Sequence, residues 1–199
     1  MNAVRDTVLA RITAAFWNRL RIPDGLTLFS SRSPEVDHES LEKCAMAGSW
    51  RDVPDQLIRD NAIAIAFASR EGFAWLLPAW LLAAARESIP GAAVTTALLS
   101  CLTPPDPEDA RRSAALAETM EQLEPGVGAD LPVDAFAHDS AVEARFLERA
   151  GELSESELLA VRVYLEWLAT EADGHYPLLG PDVALQRYWA LDRTEDRDG

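Results

Sequence analysis

One apolar run, residues 72–85 (GFAWLLPAWLLAAA), constrains the fold of this chain more than any other stretch of its sequence. Charged residues flank the run on both sides, with Arg70 and Glu71 before it and Arg86 and Glu87 after it. A transmembrane helix needs about 20 apolar residues, whereas shorter runs of this kind are more often buried core helices. Because large apolar side chains occupy every side of such a helix, we expect it to lie at the centre of the molecule.

The residues at the start and in the middle of this run predict a capped and bent helix. Ser69 is a good N-cap residue just before it. Pro78 lies well inside it, where a proline removes one backbone hydrogen bond and bends the helix axis. We interpret the run as a central, Pro-kinked, buried helix, and a ligand pocket against the kink remains open as an alternative.

Helical periodicity also dominates the rest of the chain, and Pro, Gly and capping residues divide it into segments. The alternating stretch AIAIAF, residues 62–67, could form a strand, but no second run exists to pair with it, so we interpret it as helix. The chain therefore predicts an all-α, single compact multi-helix domain of about seven to nine helices. The expected helices span roughly residues 3–20, 34–48, 54–61, 72–85, 92–102, 107–123, 140–149, 154–173 and 181–191.

Acidic residues are concentrated in the second half of the chain. Residues 1–102 contain 11 acids and 10 bases, whereas residues 103–199 contain 22 acids and 8 bases and so carry almost all of the net charge of −15. The Pro-rich stretch TPPDPED, residues 103–109, coincides with this change in charge. We predict one domain over residues 1–199, with a subdivision into a near-neutral half, 1–102, and an acidic half, 103–199, as an option.

The charge distribution limits the classes of partner. Phosphate contacts need clustered Arg and Lys, so the acidic half is unsuited to nucleic acid and to anionic lipid surfaces. A basic protein would instead be attracted to the acidic face between about Asp106 and Glu157, although such faces can also serve solubility alone. The candidate partner-binding residues on this face are Glu118, Glu121, Glu124, Asp130, Asp134, Asp139 and Glu143.

Motifs for catalysis and for metal binding are missing from the sequence. His38, His138 and His175 lie apart, without the HExxH or paired-cysteine spacing of a zinc site. The sequence also has no GxSxG, GxGxxG or phosphate-loop lysine motif. We therefore expect no catalytic residue, no metal and no cofactor, and we interpret the protein as a non-enzyme.

The cysteines and the N-terminal segment favour a cytoplasmic protein. Cys44 and Cys101 lie far apart in apolar or helical settings, which is typical of two reduced, buried thiols, although a disulfide stays open. Asp6 and Arg11 interrupt the N-terminal apolar residues, so we interpret that segment as a helix rather than an export signal.

Three aromatic residues near loops or the chain end have two interpretations. Trp50, Tyr188 and Trp189 could anchor a partner. We favour the alternative for the terminal pair, in which Tyr188 and Trp189 form a lid over the core and Arg187 points outward.

Four stretches together resemble an uncharacterised bacterial all-helical family. They are SWRDVP, REGFAWLLPAWLL, RFLERAGELSESELLAVRVYLEWLA and ALQRYW, in this order, and the resemblance extends over roughly residues 10–190. The family pattern combines a Trp-Asp turn, a Phe segment that continues into a Leu-Pro-Ala helix, an amphipathic helix and a terminal Tyr-Trp. This chain departs from it by a long acidic loop between its halves. The resemblance implies a single domain and supplies no catalytic residues.

A small acidic helical protein without catalytic motifs suits a binding role. We expect an immunity or antitoxin-type protein that neutralises a basic toxin or effector by direct binding. One alternative is a structural or regulatory interaction module of unknown partner. Another is a small-ligand enzyme with its pocket at the Pro78 kink.

Overall fold

The computed structural model describes residues 3–23, 25–29, 43–44, 46–87, 92–106, 140–171 and 180–190, and six single residues between 108 and 122. Within these residues the fold is all-α and contains no strand, as the sequence predicts. Short 3₁₀ helices at Trp17–Arg19, Trp50–Asp52 and Ala62–Phe67 join the α-helices, and a π-helical turn, Leu185–Trp189, follows the last one. The α-helices are α1 (Ala3–Ala15), α2 (Asp55–Asp60), α3 (Arg70–Arg86), α4 (Ala93–Leu102), α5 (Ser140–Gly151), α6 (Glu155–Glu171) and α7 (Pro181–Ala184).

Helix α3 is the central helix of the fold, which confirms the prediction from the apolar run. Every residue from 72 to 85 is buried, including Pro78. The helix packs against α1, α2, α4 and α6. Ser69 caps it, because its Oγ accepts a hydrogen bond from the Gly72 N–H at 2.9 Å. In the described part of the chain, no helix is long and apolar enough to cross a membrane.

Several segment boundaries differ from the sequence prediction in informative ways. The first helix is α-helical only to Ala15, and the 3₁₀ helix Trp17–Arg19 follows it. The AIAIAF stretch is helical, as expected, but as the 3₁₀ helix Ala62–Phe67. Of the helix expected over residues 34–48, residues 43, 44 and 46–48 are described; 43, 44 and 46 are helical, and a turn follows at 47–48.

The aromatic residues considered as partner anchors are buried. Trp50 is 1% exposed, so the anchor interpretation is wrong for it. Tyr188 and Trp189 are each 6% exposed, and the Trp189 Nε1–H donates to the Leu102 carbonyl at 2.6 Å, as expected of a lid on the core. The exposed tryptophan is instead Trp17, whose ring lies under the Arg51 guanidinium at 4.4 Å.

The chain divides into two compact units. The larger unit comprises Met1–Thr103 and Glu148–Gly199 and contains α1–α4, α6 and α7. The smaller unit comprises Pro104–Leu147. In the smaller unit the described residues between 108 and 122 are helical, and residues 140–147 form the first part of α5.

Candidate functional site

A partly buried ion pair joins the end of the first helical segment to α6. The 3₁₀ helix Trp17–Arg19 positions Arg19, whose Nε and Nη2 donate to the two carboxylate oxygens of Glu157 at 2.5 and 3.1 Å. The same Nη2 also donates to the backbone carbonyl of Glu152. Both carboxylate oxygens of Glu157 are thus satisfied by one guanidinium, the bidentate arrangement for which Arg is suited.

Glu157 also caps the helix that carries it. Its Oε2 accepts the Ser154 backbone N–H at 2.7 Å, which is the Glu157 half of a Ser-x-x-Glu capping box. Glu157 is only 3% exposed, because it serves both the cap and Arg19. Its assignment to the acidic face was therefore wrong, since its charge is neutralised inside the fold.

A loop docks beside this ion pair on the first turn of α3. The Ser69 N–H donates to the Leu28 carbonyl at 2.8 Å, and the Ser69 Oγ donates to the Thr27 carbonyl at 2.6 Å. A Cβ on Gly72 would overlap the Leu28 backbone, so glycine permits this close approach. These contacts fix residues 25–29 against the helix.

The docked loop, the 3₁₀ helix Trp17–Arg19 and the start of α3 enclose a cleft of about 600 Å³ within the larger unit. The cleft lies at the first turns of α3, and Pro78 is not among its lining residues, so it is distinct from the pocket considered at the kink. We call it the Arg21 cleft. Its lining residues are Asn18, Arg19, Arg21, Pro23, Gly25, Leu26, Thr27, Ser69, Glu71, Trp75 and Glu152.

Some polar groups that line the Arg21 cleft are paired with other protein groups, and others have no partner among the described residues. Glu152 pairs with Arg70 at 2.9 Å, and Arg19 is held by Glu157. Arg21 has no ion-pair partner among the described residues. Trp75 is 2% exposed, and its Nε1–H is buried with no acceptor in the described part of the chain. No sequence motif indicated this site, because its residues come from three separate segments.

The structure describes two of the seven candidate partner-binding residues. Glu118 is helical and exposed, and Glu143 is exposed on α5. The other five lie outside the described residues, namely Glu121, Glu124, Asp130, Asp134 and Asp139. All seven belong by sequence to the smaller unit Pro104–Leu147, which contains ten acids and three bases and has a net charge of −7.

Arg149 is one of the bases that the sequence places among these acids, but the structure buries it in the larger unit. It is 7% exposed, and its Nη2 donates to the carbonyls of Ala66 and Ala68 at 2.9 and 2.5 Å. Its guanidinium lies 5.1 Å from the centroid of the Phe73 ring. Its guanidinium therefore binds backbone carbonyls inside the larger unit rather than facing the surface.

Reactive thiols and metal ligands are not brought together in the described residues. Cys44 and Cys101 are free, and burial raises the pKa of each thiol to about 11, which leaves both protonated and poorly nucleophilic at neutral pH. No group of three or more His, Cys, Asp or Glu side chains there could hold a metal ion. His38, His138 and His175 lie outside the described residues.

Comparison with family models, curated proteins and solved structures gave no match.

Proposed function

We propose that this chain is a non-enzymatic binding protein of the immunity or antitoxin type, which neutralises a basic toxin or effector protein by direct binding. The binding surface in this proposal is the smaller unit, Pro104–Leu147. The bacterial origin and the cytoplasmic location implied by the family resemblance and by the free cysteines belong to the same proposal.

One observation carries the proposal. Nearly half of the net charge of −15 falls on a single compact unit of the chain, where ten acids meet only three bases. Glu118 and Glu143, its described candidate residues, are exposed rather than used in the core. A concentrated negative field accelerates encounter with a cationic partner and resembles the polyanionic substrate of a nuclease.

The charged residues of the larger unit limit where the proposed binding surface can lie. Glu157 pairs with Arg19, and Glu152 pairs with Arg70. Arg149 donates to backbone carbonyls, so these residues of the sequence-predicted face are engaged within the larger unit. The proposed binding surface therefore uses acids between residues 104 and 147 rather than acids across the whole acidic half.

A co-expression experiment tests the proposal. The reading frame next to this gene in its native genome would be expressed in a bacterial host with and without the chain, and growth would be measured. We expect the neighbour to inhibit growth alone and the intact chain to restore it. Charge reversal of Glu118, Glu121 and Glu124 to Lys should abolish the rescue.

The matched control reverses three exposed acids of the larger unit, Asp6, Asp52 and Glu148, to Lys. This variant has the same net charge as the first, so it separates a local binding surface from the total charge of the molecule. The proposal requires that the control still rescues growth. A neighbour without toxicity, or equal rescue by both variants, would contradict it.

A further inference from the structure

We propose that the surface around Trp17 and Arg51 is a self-association surface, on which a second copy of this chain docks across a two-fold axis. We call this surface the Trp17 patch and define it by Trp17, Arg51 and Asp52. The inference goes beyond the proposed function and does not depend on it, because all three residues belong to the larger unit.

An exposed indole is the first observation. Trp17 is 56% exposed, and it is the one described tryptophan whose ring the fold leaves largely open to solvent. Tryptophan and arginine are the residue types most enriched among the side chains that dominate binding energy at protein interfaces. A partner that covers this ring would remove from water an apolar area that the fold of one chain does not bury.

The Arg51 guanidinium is held in place beside this indole. The 3₁₀ helix Trp50–Asp52 starts with the Arg51 N–H donating to the Ser49 Oγ at 3.2 Å. The guanidinium carbon then lies 4.4 Å from the centroid of the Trp17 ring and 5.2 Å from that of the buried Trp50 ring. Arg51 has no ion-pair partner among the described residues. A guanidinium that stacks on aromatic rings keeps its N–H groups available for a carboxylate.

The charges of the Trp17 patch are complementary to themselves, which favours a second copy as the occupant. Asp52 is the next residue on the same exposed turn, and it also lacks an ion-pair partner in the described part of the chain. A two-fold axis brings each patch against its own copy, so that Arg51 of either chain faces Asp52 of the other. An acidic partner would instead place a like charge against Asp52, and a basic partner would place one against Arg51.

The net charge of the chain makes such a patch the favourable place for two copies to meet. Each copy carries a net charge of −15, so acidic surfaces of two copies repel one another. Arg51 and Asp52 together add no net charge, and their two reciprocal ion pairs would lie beside the two Trp17 rings. A surface of this size is typical of a weak, transient dimer.

Sedimentation equilibrium on the full chain tests the inference at physiological ionic strength. Protein concentrations from about 10 µM to 1 mM cover the affinities of weak complexes. The charge variants are Arg51→Asp, Asp52→Arg and the double variant, which exchanges the two charges and keeps the native net charge. Arg162→Asp and Glu148→Arg are the matched controls, because they change the net charge equally at other exposed side chains.

We expect the native chain to approach twice the mass of a single chain within this range. Arg51→Asp and Asp52→Arg should each weaken dimerisation at least about tenfold, because each places like charges opposite one another. The double variant should restore dimerisation, and an equimolar mixture of the two single variants should form a heterodimer, in which every pair again has opposite charges. Trp17→Ala should also weaken the dimer, whereas the two controls should leave it unchanged.

Three results would overturn the inference. The first is a native chain that keeps the mass of a single chain up to about 1 mM, which would leave the Trp17 patch to a different partner or to none. The second is a dimer that Trp17→Ala and the single charge reversals do not weaken, which would place self-association on another surface. The third is failure of both the double variant and the mixture to dimerise.

Discussion

At the scale of single residues, buried charged side chains in this protein bind partners far away in the sequence. Arg19 and Glu157 are 138 positions apart, and Arg149 donates to carbonyls more than 80 positions away. Breaking such a contact leaves an uncompensated charge inside the protein, which costs far more than breaking an exposed pair.

The Arg19–Glu157 pair should therefore behave as a coupled unit in unfolding experiments. We expect Arg19→Met to lower the free energy of unfolding by about 2–4 kcal/mol, because it strands the Glu157 carboxylate. Glu157→Gln should cost about 1–2 kcal/mol, since Arg19 is partly exposed and an amide oxygen can still accept the Ser154 N–H. Urea unfolding of both single variants and the double variant measures the coupling.

The exposed pair Arg162–Glu166 on α6 is the matched control. Its double-mutant cycle should give a coupling of about 0.5 kcal/mol or less. If losses from Arg19→Met and Glu157→Gln simply add, the two side chains do not form the pair described here.

The Cys44 thiol should make stability depend on alkaline pH. Burial raises its folded-state pKa from 9.0 to about 11, so the unfolded chain loses this proton first as the pH rises. The associated stability is complete below pH 9 and is lost between pH 9 and about 11, to the extent of about 2–3 kcal/mol. Urea unfolding at several pH values should show the difference between native chain and Cys44→Ala shrinking over that range. A constant difference would contradict the burial of this thiol.

At the scale of elements, the sequence predicts those structural features that depend only on neighbouring residues along the chain. The apolar run with Ser69 before it predicts a capped central helix, and α3 is one. Ser154 and Glu157 predict the start of α6 in the same way. Such signals are local, because a cap lies within one turn of the helix that it starts.

Features that depend on distant segments could not be predicted in this way. Trp50 follows a loop and looks exposed in sequence, but it is buried in the fold. The Arg21 cleft needs a loop to dock on Ser69 through contacts across more than 40 positions. The AIAIAF segment forms a tighter 3₁₀ helix than its composition indicates, and Arg149 binds one of its carbonyls, that of Ala66.

Helix α3 should tolerate truncation of its large side chains poorly. Trp80 and Leu77 are each 0% exposed, and the Trp80 Nε1–H donates to the Ala62 carbonyl at 2.9 Å. We expect Leu77→Ala and Trp80→Ala to lower the free energy of unfolding by about 2–5 kcal/mol each. Trp17→Ala is the matched control, because Trp17 is 56% exposed and should cost much less. Equal thermal stability of all three variants and the native chain would show that α3 is not central.

At the scale of the whole molecule, the concentrated negative charge opposes folding, whereas it favours the proposed binding of a basic partner. The smaller unit holds ten acids and three bases, so its like charges repel one another in the folded state. Such repulsion opposes folding, a cost that the proposed binding function would account for.

Charge reversal in the smaller unit should therefore leave stability unchanged or raise it. The expected effect of Glu118→Lys, Glu121→Lys and Glu124→Lys together is a thermal unfolding temperature at or above that of the native chain, most visibly at low salt. Differential scanning calorimetry at low and high salt measures this, with Asp6, Asp52 and Glu148 reversed as the control. Marked destabilisation of the first variant alone would show that these acids support the fold.

The rate of association with the product of the neighbouring reading frame tests the central claim most directly. Stopped-flow measurements at low and high salt would compare the native chain with the two charge-reversed variants. The smaller unit should steer the partner, so its reversal should lower the association rate about tenfold or more at low salt, with a smaller change in dissociation. High salt should reduce the difference, because exposed charges are screened beyond about 8–10 Å at physiological ionic strength. The same association rate for both reversed variants would contradict a binding surface on residues 104–147.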